Sequence, residues 1–234
     1  MPNKLSVVII TKNEESFIGE AIKSALFADE VIVIDSGSSD KTCEIATSYG
    51  AKVLINPWKG FGKQKNFAVE SARNNWVFVL DADERITYKL RNEILKELVE
   101  PKSKAYLVGR LNKFFGKYIK HCGLYPDYSI RLFDKNCGKF NDVQVHESFK
   151  TKENINKLKN PMRHLAYESV KEFYIKQKKY AELSEKNQNL LKAFSSPFFI
   201  FLKIYIFRLG FIDGWRGLVI AFVYAKYTFW KYIK

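Results

Sequence analysis

Cysteine is scarce. Three residues, Cys43, Cys122 and Cys137, stand in a chain of 234, too few and too widely spaced for a disulfide framework or a paired zinc site. A reducing compartment is the expected setting. Long apolar runs are missing too. Leu5–Ile10 is too short for the core of a signal peptide, and no uninterrupted apolar stretch reaches the roughly 18 to 20 residues a membrane-crossing helix needs. The pattern Gly-x-Gly-x-x-Gly is absent after that first run, which disfavours a nicotinamide enzyme. Bulk apolar material is plentiful, at 47% hydrophobic and 15% aromatic residues, which supports a sizeable core and rules out intrinsic disorder.

Acid is scarce in one half only. The formal net charge of +14 would suit nucleic acid if it were spread evenly. Residues 1–100, however, hold 13 Lys and Arg against 15 Asp and Glu, and residues 101–234 hold 26 against 10. The 42 residues from Ala193 onward carry 14 of the 36 aromatics, so the basic half ends in an aromatic tail. A nucleic-acid binding module is the alternative that the charge invites. The interleaving of basic with apolar residues, and the lack of a reader motif, argue against it.

The front half alternates. Leu5–Ile10, Val31–Ile34, Lys52–Ile55 and Trp76–Leu80 are short apolar or β-branched runs, as strands buried on both faces require. Between them, Phe17–Leu26 repeats apolar residues at helical spacing, and helices are expected to about Tyr49, from about Gln64 to Arg73, and from about Tyr88 to Val99. Strand and helix in strict alternation predict an α/β fold with a mostly parallel sheet flanked by helices. Such sheets bind ligands at the carboxyl ends of their strands. Three of those ends are polar here: Thr11–Glu15, Asp35–Asp40 and Asp81–Glu84.

Asp81 and Asp83, one residue apart on a chain leaving a buried strand, can turn toward one divalent cation. Hard cations such as Mg²⁺ or Mn²⁺ take carboxylate oxygens together with substrate phosphates. The bland reading is an acidic turn capping the next helix, with Glu84 as a partner for its dipole. Asp35–Asp40 likewise serves as a plain strand-to-helix turn, or presents Asp35 to a nucleoside, or does both. Lys59, Lys63 and Lys65 around Gly60 and Gly62 can offset phosphate charge. A nucleotidyltransferase would need a Gly- and Arg-rich loop after the first strand, and Thr11–Glu15 holds neither.

Taken together, Ser6–Glu15, Val31–Asp40, Gly62–Asn66 and Val79–Glu84 resemble, in order, the motif set of family 2 glycosyltransferases. That resemblance implies a GT-A fold, a nucleotide-diphospho-sugar donor and a divalent metal, Mg²⁺ or Mn²⁺. It implies that Thr11, Asn13, Glu14 and Asp35 line a uridine pocket, that Gln64, Lys65 and Asn66 face the donor, and that Asp81 and Asp83 hold metal and diphosphate. Many members have two Asp after the second strand. The Asp35-Ser36 form here is similar to a bacterial subgroup that includes lipopolysaccharide core glucosyltransferases.

Ala105–Leu111 and Tyr128–Phe133 read as further strands, followed by Asn141–Ser148. A glycosyl transfer needs a base within reach of the acceptor hydroxyl, and His146-Glu147 after an apolar residue is the candidate pair. In the same subgroup a Val-His-Glu motif follows an Arg-Leu-Phe strand, here Arg131–Phe133. By resemblance Glu147 is the base, His146 a metal or diphosphate contact, and Arg131 part of the donor site. Asp127 and Asp142 stay open as alternative bases. From Glu168 to about Lys192 a Lys-rich amphipathic helix is expected. Ser196-Pro197 reads as a helix start, leading into an apolar run to Leu209 that Gly210–Gly217 interrupts and Leu218–Ala225 resumes. An aromatic face with a basic flank suits a membrane surface, although an intramolecular or dimer core would look the same.

The resulting expectation is a catalytic domain over residues 1–165, with a nucleotide-sugar half 1–100 and an acceptor half 101–165. A helical, aromatic-basic extension over residues 166–234 meets the membrane surface through 193–234. The activity implied is an inverting, metal-dependent transfer of a hexose from UDP-glucose to an anionic, lipid-linked saccharide such as the lipopolysaccharide inner core. The expected location is cytoplasmic, peripheral on the inner face of the cytoplasmic membrane. A protein or another glycan is the alternative acceptor.

Overall fold

A computed structural model of the chain describes residues 3–142, 147–182, 184 and 188–233. It divides into two compact units, Met1–Arg110 with Tyr128–His164, and Leu111–Asp127 with Leu165–Lys234.

The first unit begins with β1 (Leu5–Thr11), α1 (Ile18–Ala25), β2 (Glu30–Asp35), α2 (Thr42–Ser48), β3 (Lys52–Ile55), α3 (Phe61–Glu70) and β4 (Trp76–Asp81). The four strands are parallel, in the order β3-β2-β1-β4. Side chains alternate between the faces of a strand, and both faces here are covered. Val7, Ile9, Val33, Phe78 and Leu80 pack with Ile18, Ala21 and Ile22 of α1. Val8, Ile10, Ile32, Ile34, Val77 and Val79 pack on the opposite face with Ala68 and Val69 of α3. Burial on two sides is why these runs carry no alternating polar residues.

Beyond β4 the chain forms β5 (Glu84–Arg85), α4 (Tyr88–Glu97), β6 (Ala105–Phe114), β7 (Lys117–Tyr118), β8 (Asp127–Asp134), β9 (Gly138–Phe140), β10 (Phe149–Thr151), β11 (Ile155–Lys157) and β12 (Met162–Tyr167). Among the described residues the sheet continues past β4 as β8-β6-β12-β5. β8 is antiparallel to β4, pairing Val77 with Phe133. β9 and β10 form a separate antiparallel hairpin, seated by Phe149 stacked on Phe133 with ring centroids 4.0 Å apart.

α3 starts at Phe61 rather than near Gln64. Gly60, at φ +105°, is its N-terminal boundary, and that backbone shape is open to glycine at little cost. One residue into the helix, Gly62 lies against the backbone that leaves β9. A Cβ there would stand 2.1 Å from the Asn141 carbonyl oxygen.

In the second unit the structure corrects two expectations. The single helix expected over Glu168–Lys192 is α5 (Val170–Glu182) plus the first turn of α6 (Leu190–Leu202). The Asn189 side chain caps α6 by accepting from the Lys192 N–H, so the helix begins before Ser196-Pro197, and Pro197 sits inside it. The second correction concerns length. A π-helical turn, Lys203–Phe207, extends α6 without a break, so one helix of 18 residues, Leu190–Phe207, is long and apolar enough to cross a membrane. The apolar count missed it because Lys192 and Lys203 divide the run, and a helix carries such residues on its flanks. Leu209, at φ +54°, leads into the 3₁₀ turn Gly210–Asp213 and then α7 (Trp215–Ile233). The inner face of α7, with Ile220 and Val223, packs on Phe114, Phe115, Ile119 and Phe173.

Gly62→Ala tests the close approach in the first unit. The added methyl has only backbone to meet, so a loss of about 1–3 kcal/mol is expected, read as a lower denaturant midpoint in urea.

Candidate active site

The carboxyl ends of β1, β2 and β4 are aligned by strand register, not by chance. Thr11 is paired with Asp35, and Ile10 with Asp81. Two of the loops that follow are laced together. Ser36 N–H donates to the Thr11 carbonyl (3.0 Å), Asn13 N–H to Ser38 Oγ (2.8 Å), Ser39 N–H to Asn13 Oδ1 (2.8 Å) and Glu14 N–H to Thr42 Oγ1 (2.8 Å). Asn13 adopts φ +53° to do so, a conformation that Asn tolerates better than most residues. Asp35 is fully buried and accepts from Gly37 N–H (2.8 Å) and Ser38 N–H (2.7 Å). It shapes its own turn.

Gln64 and Asn66, which the resemblance turns toward the donor, have their amides engaged by the protein. Buried Gln64 donates to Ser36 Oγ (3.0 Å) and to the Asn56 carbonyl (3.1 Å), and accepts from Asn56 Nδ2 (2.8 Å). Asn66 grips Phe140 by its backbone, donating to its carbonyl and accepting from its N–H, both at 2.9 Å. Asn66 and Gly62 thus fix the residues that lead from β9 toward Glu147. Asn141 N–H donates to the Ser148 carbonyl (3.1 Å) and Ser148 N–H to Asn141 Oδ1 (2.8 Å).

Lys65, on the same helix, points into the site. Its Nζ lies 2.7 Å from Glu147 Oε1 and 3.4 Å from Asp81 Oδ1. On the far side of Asp81 stands Arg131, reached 3.1 Å from Asp81 Oδ2. Arg131 is buried and spends the rest of its guanidinium on Glu84 Oε1 (2.6 Å), the Val79 carbonyl (3.3 Å) and Ser129 Oγ (3.0 Å). It holds Asp81 from behind, where the resemblance had it contacting the donor. Glu84 is not the exposed dipole partner of the sequence reading. It is wholly buried, accepts from the Asp81 N–H (2.9 Å) and has Arg110 at 3.6 Å. Burial disfavours the charge on Asp81, yet Lys65 and Arg131 outweigh it and hold that carboxyl well below the ordinary range. Burial pushes the Glu84 carboxyl up, against the pull of Arg131.

Among the described residues, two buried side-chain oxygens have no hydrogen-bond partner: Thr11 Oγ1 and Asp81 Oδ1. For the latter, Lys65 is near at 3.4 Å but does not make a hydrogen bond. Both atoms lie at the carboxyl ends of adjacent strands, so the acceptor capacity left inside this unit is concentrated where such sheets bind ligands.

Asp83 is turned elsewhere. Its Oδ2 lies 3.1 Å from His164 Nε2 of β12, a residue that the sequence reading passed over. Among the described residues no three His, Cys, Asp or Glu side chains converge as a complete metal site, and His146 lies outside the described residues. Asp83 with His164, and Asp81 two residues before it in the chain, supply carboxylate and imidazole donors that do not converge on one point. Donors of this kind fit a divalent cation that draws its other ligands from substrate phosphates. Of the alternative bases, Asp142 is exposed and paired with Lys63 at 3.0 Å, and Asp127 belongs to the second unit.

The family model of glycosyl transferase family 2 matches residues 6–146, more than half of the chain. The chain belongs to that family. This family 2 glycosyltransferase is 30% identical over 244 residues to the lipopolysaccharide core biosynthesis glycosyltransferase LpsC of Rhizobium meliloti, across 94% of this chain and 90% of the relative. It is also 30% identical over 256 residues to an uncharacterized glycosyltransferase of Rickettsia bellii, across 100% of this chain and 86% of the relative. Among solved structures, S. aureus TarS 1–349 in complex with UDP superposes with a TM-score of 0.51 at 18% identity, covering 90% of this chain and 75% of that one. A longer TarS chain gives the same TM-score, and this chain spans 39% of it. At that identity the likeness establishes the GT-A fold.

Arg131→Met leaves Glu84 buried without its closest cation. A loss of about 3–5 kcal/mol in urea unfolding is expected, with part of it recovered in the Arg131→Met/Glu84→Gln pair. Because Asp81 is depressed in the folded state, its contribution to stability is present above the unfolded Asp pKa of about 4 and declines as the pH falls below it. Acid titration of the unfolding free energy reads that slope, and Asp81→Asn flattens it.

Proposed function

We propose that this glycosyltransferase moves a hexose, glucose in the favoured case, from a UDP-sugar to an anionic lipid-linked saccharide of the lipopolysaccharide core type, with inversion at C1. The observation that carries the donor site is the pair of unpartnered buried oxygens, Thr11 Oγ1 and Asp81 Oδ1, at neighbouring strand ends. UDP as the nucleotide follows from the resemblance of the strand-end motifs, which puts the nucleoside against Thr11, Asn13, Glu14 and Asp35. The name of LpsC, related over almost the whole length of both chains, supports the acceptor class.

Glu147 is the base in this reading. It takes the proton of the acceptor hydroxyl. That oxygen attacks the sugar C1 and forms the new C–O bond as the bond to the diphosphate breaks. Lys65, placed between Glu147 and Asp81, faces the leaving diphosphate and shares its charge among three anions, so diphosphate binding draws it from Glu147 and frees that carboxylate. Asp83, His164 and Asp81 would hold a divalent metal, which when bound supplies charge neutralisation for the diphosphate. Asp83 Oδ2 and His164 Nε2 already stand 3.1 Å apart, so two of the groups that would hold the metal face each other. Phe61, one helical turn before Lys65 on α3, meets Trp58 of the lead-in segment edge to face at 4.7 Å, and both are 45% exposed. They suit the face of a sugar ring at the rim.

Calorimetry of UDP-glucose with and without Mn²⁺ is the direct check, and binding that needs the metal is expected. Asp83→Ala should abolish metal-dependent transfer; unchanged turnover in that variant, or after chelation, removes the metal role. Glu147→Gln should bind UDP-glucose as the parent does and lose about 10²–10⁴-fold in kcat. Full activity would move the base elsewhere.

A further inference from the structure

The helical unit presents a surface that the proposed chemistry does not use. Of the helix Leu190–Phe207, 6% is buried, and Ala193 is the buried residue of α6. Leu191 is 85% exposed, Phe194 71% and Phe207 77%. The apolar surface continues through Phe211 and Trp215, each about half exposed. Isolated exposed apolar residues are ordinary, but a contiguous surface of this kind marks an interaction site.

Charge narrows the partner. From Gln188 to Ile233 the chain has four Lys and two Arg, and one carboxylate, Asp213. Asp213 does not face outward: it is 4% exposed and accepts from the His121 N–H at 3.1 Å, with His121 Nδ1 at 3.2 Å. The outward surface is therefore aromatic and cationic, without acid. A second copy meeting it by two-fold symmetry would set the same cations against each other with no counter-charge. An anionic lipid surface satisfies both halves of the composition.

The helix is long enough to span, and the turn that follows it argues against a span. Cys122 N–H donates to the Arg208 carbonyl at 2.9 Å, and Arg216 Nε donates to the Phe115 carbonyl at 2.9 Å. Trp215 stacks on Phe115 at 5.9 Å. Gly217 and Gly210 touch so closely that a Cβ on Gly217 would lie 1.8 Å from the Gly210 oxygen. The turn is thus bound to the segment 111–127, where Lys117 and Lys120 are exposed. A span would carry that segment and its lysines through hydrocarbon.

We propose that the outer face of α6, the turn and the exposed side of α7 dock in the plane of an anionic bilayer, entering one leaflet without crossing it. This is the physical form of the peripheral placement on the inner membrane face, and it does not depend on which saccharide is the acceptor.

The test uses the full chain and vesicles of phosphatidylcholine alone or with roughly one-third phosphatidylglycerol. Sedimentation should show binding to the anionic vesicles at least about tenfold tighter than to the neutral ones, weakened by salt. Phe198→Ser/Phe211→Ser, both at exposed positions, should lose most of that binding while keeping the parent's melting temperature. For the in-plane geometry, Lys120→Cys is treated with an impermeant maleimide from outside the vesicle, and labelling at position 120 is read by mass spectrometry. Full labelling is expected; protection from outside means a span and overturns the proposal. Equal binding to both vesicles, or no vesicle binding together with concentration-dependent dimers in sedimentation equilibrium, overturns it as well.

Discussion

Arg131 is buried between Asp81 and Glu84, and the geometry of the catalytic unit hangs on that arrangement. Taking three charges out of water is expensive, and mutual attraction repays it only when the remaining hydrogen-bonding groups are met. Here they are met on the protein side. Glu84 accepts from the Asp81 backbone and Arg131 donates to Val79 and Ser129. What the protein does not meet is one oxygen of Asp81. The ion group therefore works as a clamp: it stiffens the end of β4, where a free aspartate would swing, and leaves one oxygen of that aspartate, the one nearest Lys65, without a hydrogen bond.

The same division recurs along the rim. Asp35, Gln64 and Asn66 give their polar groups to the protein, and each one fixes a neighbour: the turn after β2, the loop after β3, the backbone of Phe140. Lys65 differs: its ammonium lies on Glu147 and Asp81. A site built this way has rigid walls before any ligand arrives, so little ordering entropy is left for binding to supply. Gly62 shows how tight the tolerance is. The helix that carries Lys65 and the loop that carries Glu147 approach through a contact with no room for a methyl group, and it is this approach that brings the two side chains to 2.7 Å.

How much of this could be read from the chain depends on the range of each interaction. β1, β2 and β4 were legible because two-sided burial writes itself into consecutive residues, and Asp81 and Asp83 because they interrupt such a run. Glu84 and His164 were not. Glu84 looks like an ordinary first-turn carboxylate until β8 brings Arg131 from 47 residues away, and His164 has no local signature until it meets Asp83 from 81 residues away. The family resemblance identified Arg131 but could not say which way it faces. In the helical unit the failure was local competition: Ser196-Pro197 is a louder start signal than Asn189, yet the earlier cap began the helix and Pro197 was absorbed within it.

The positive charge has a physical explanation once it is apportioned by unit. The helical unit, residues 111–127 and 165–234, holds 15 Lys and Arg against 6 Asp and Glu. Water alone would solvate those cations and leave the aromatic surface of α6 exposed. A protein partner of the same sequence would cover the aromatics and crowd the cations. In the proposed docking the two demands are reconciled by a medium that changes from anionic to apolar over the length of a side chain. A lysine stem crosses that distance, with its methylenes beside the rings and its ammonium at the headgroups. Lys203, within a helical turn that is otherwise Ile, Tyr and Phe, is therefore no interruption of the apolar surface. It is the kind of residue that such a surface needs in order to lie flat.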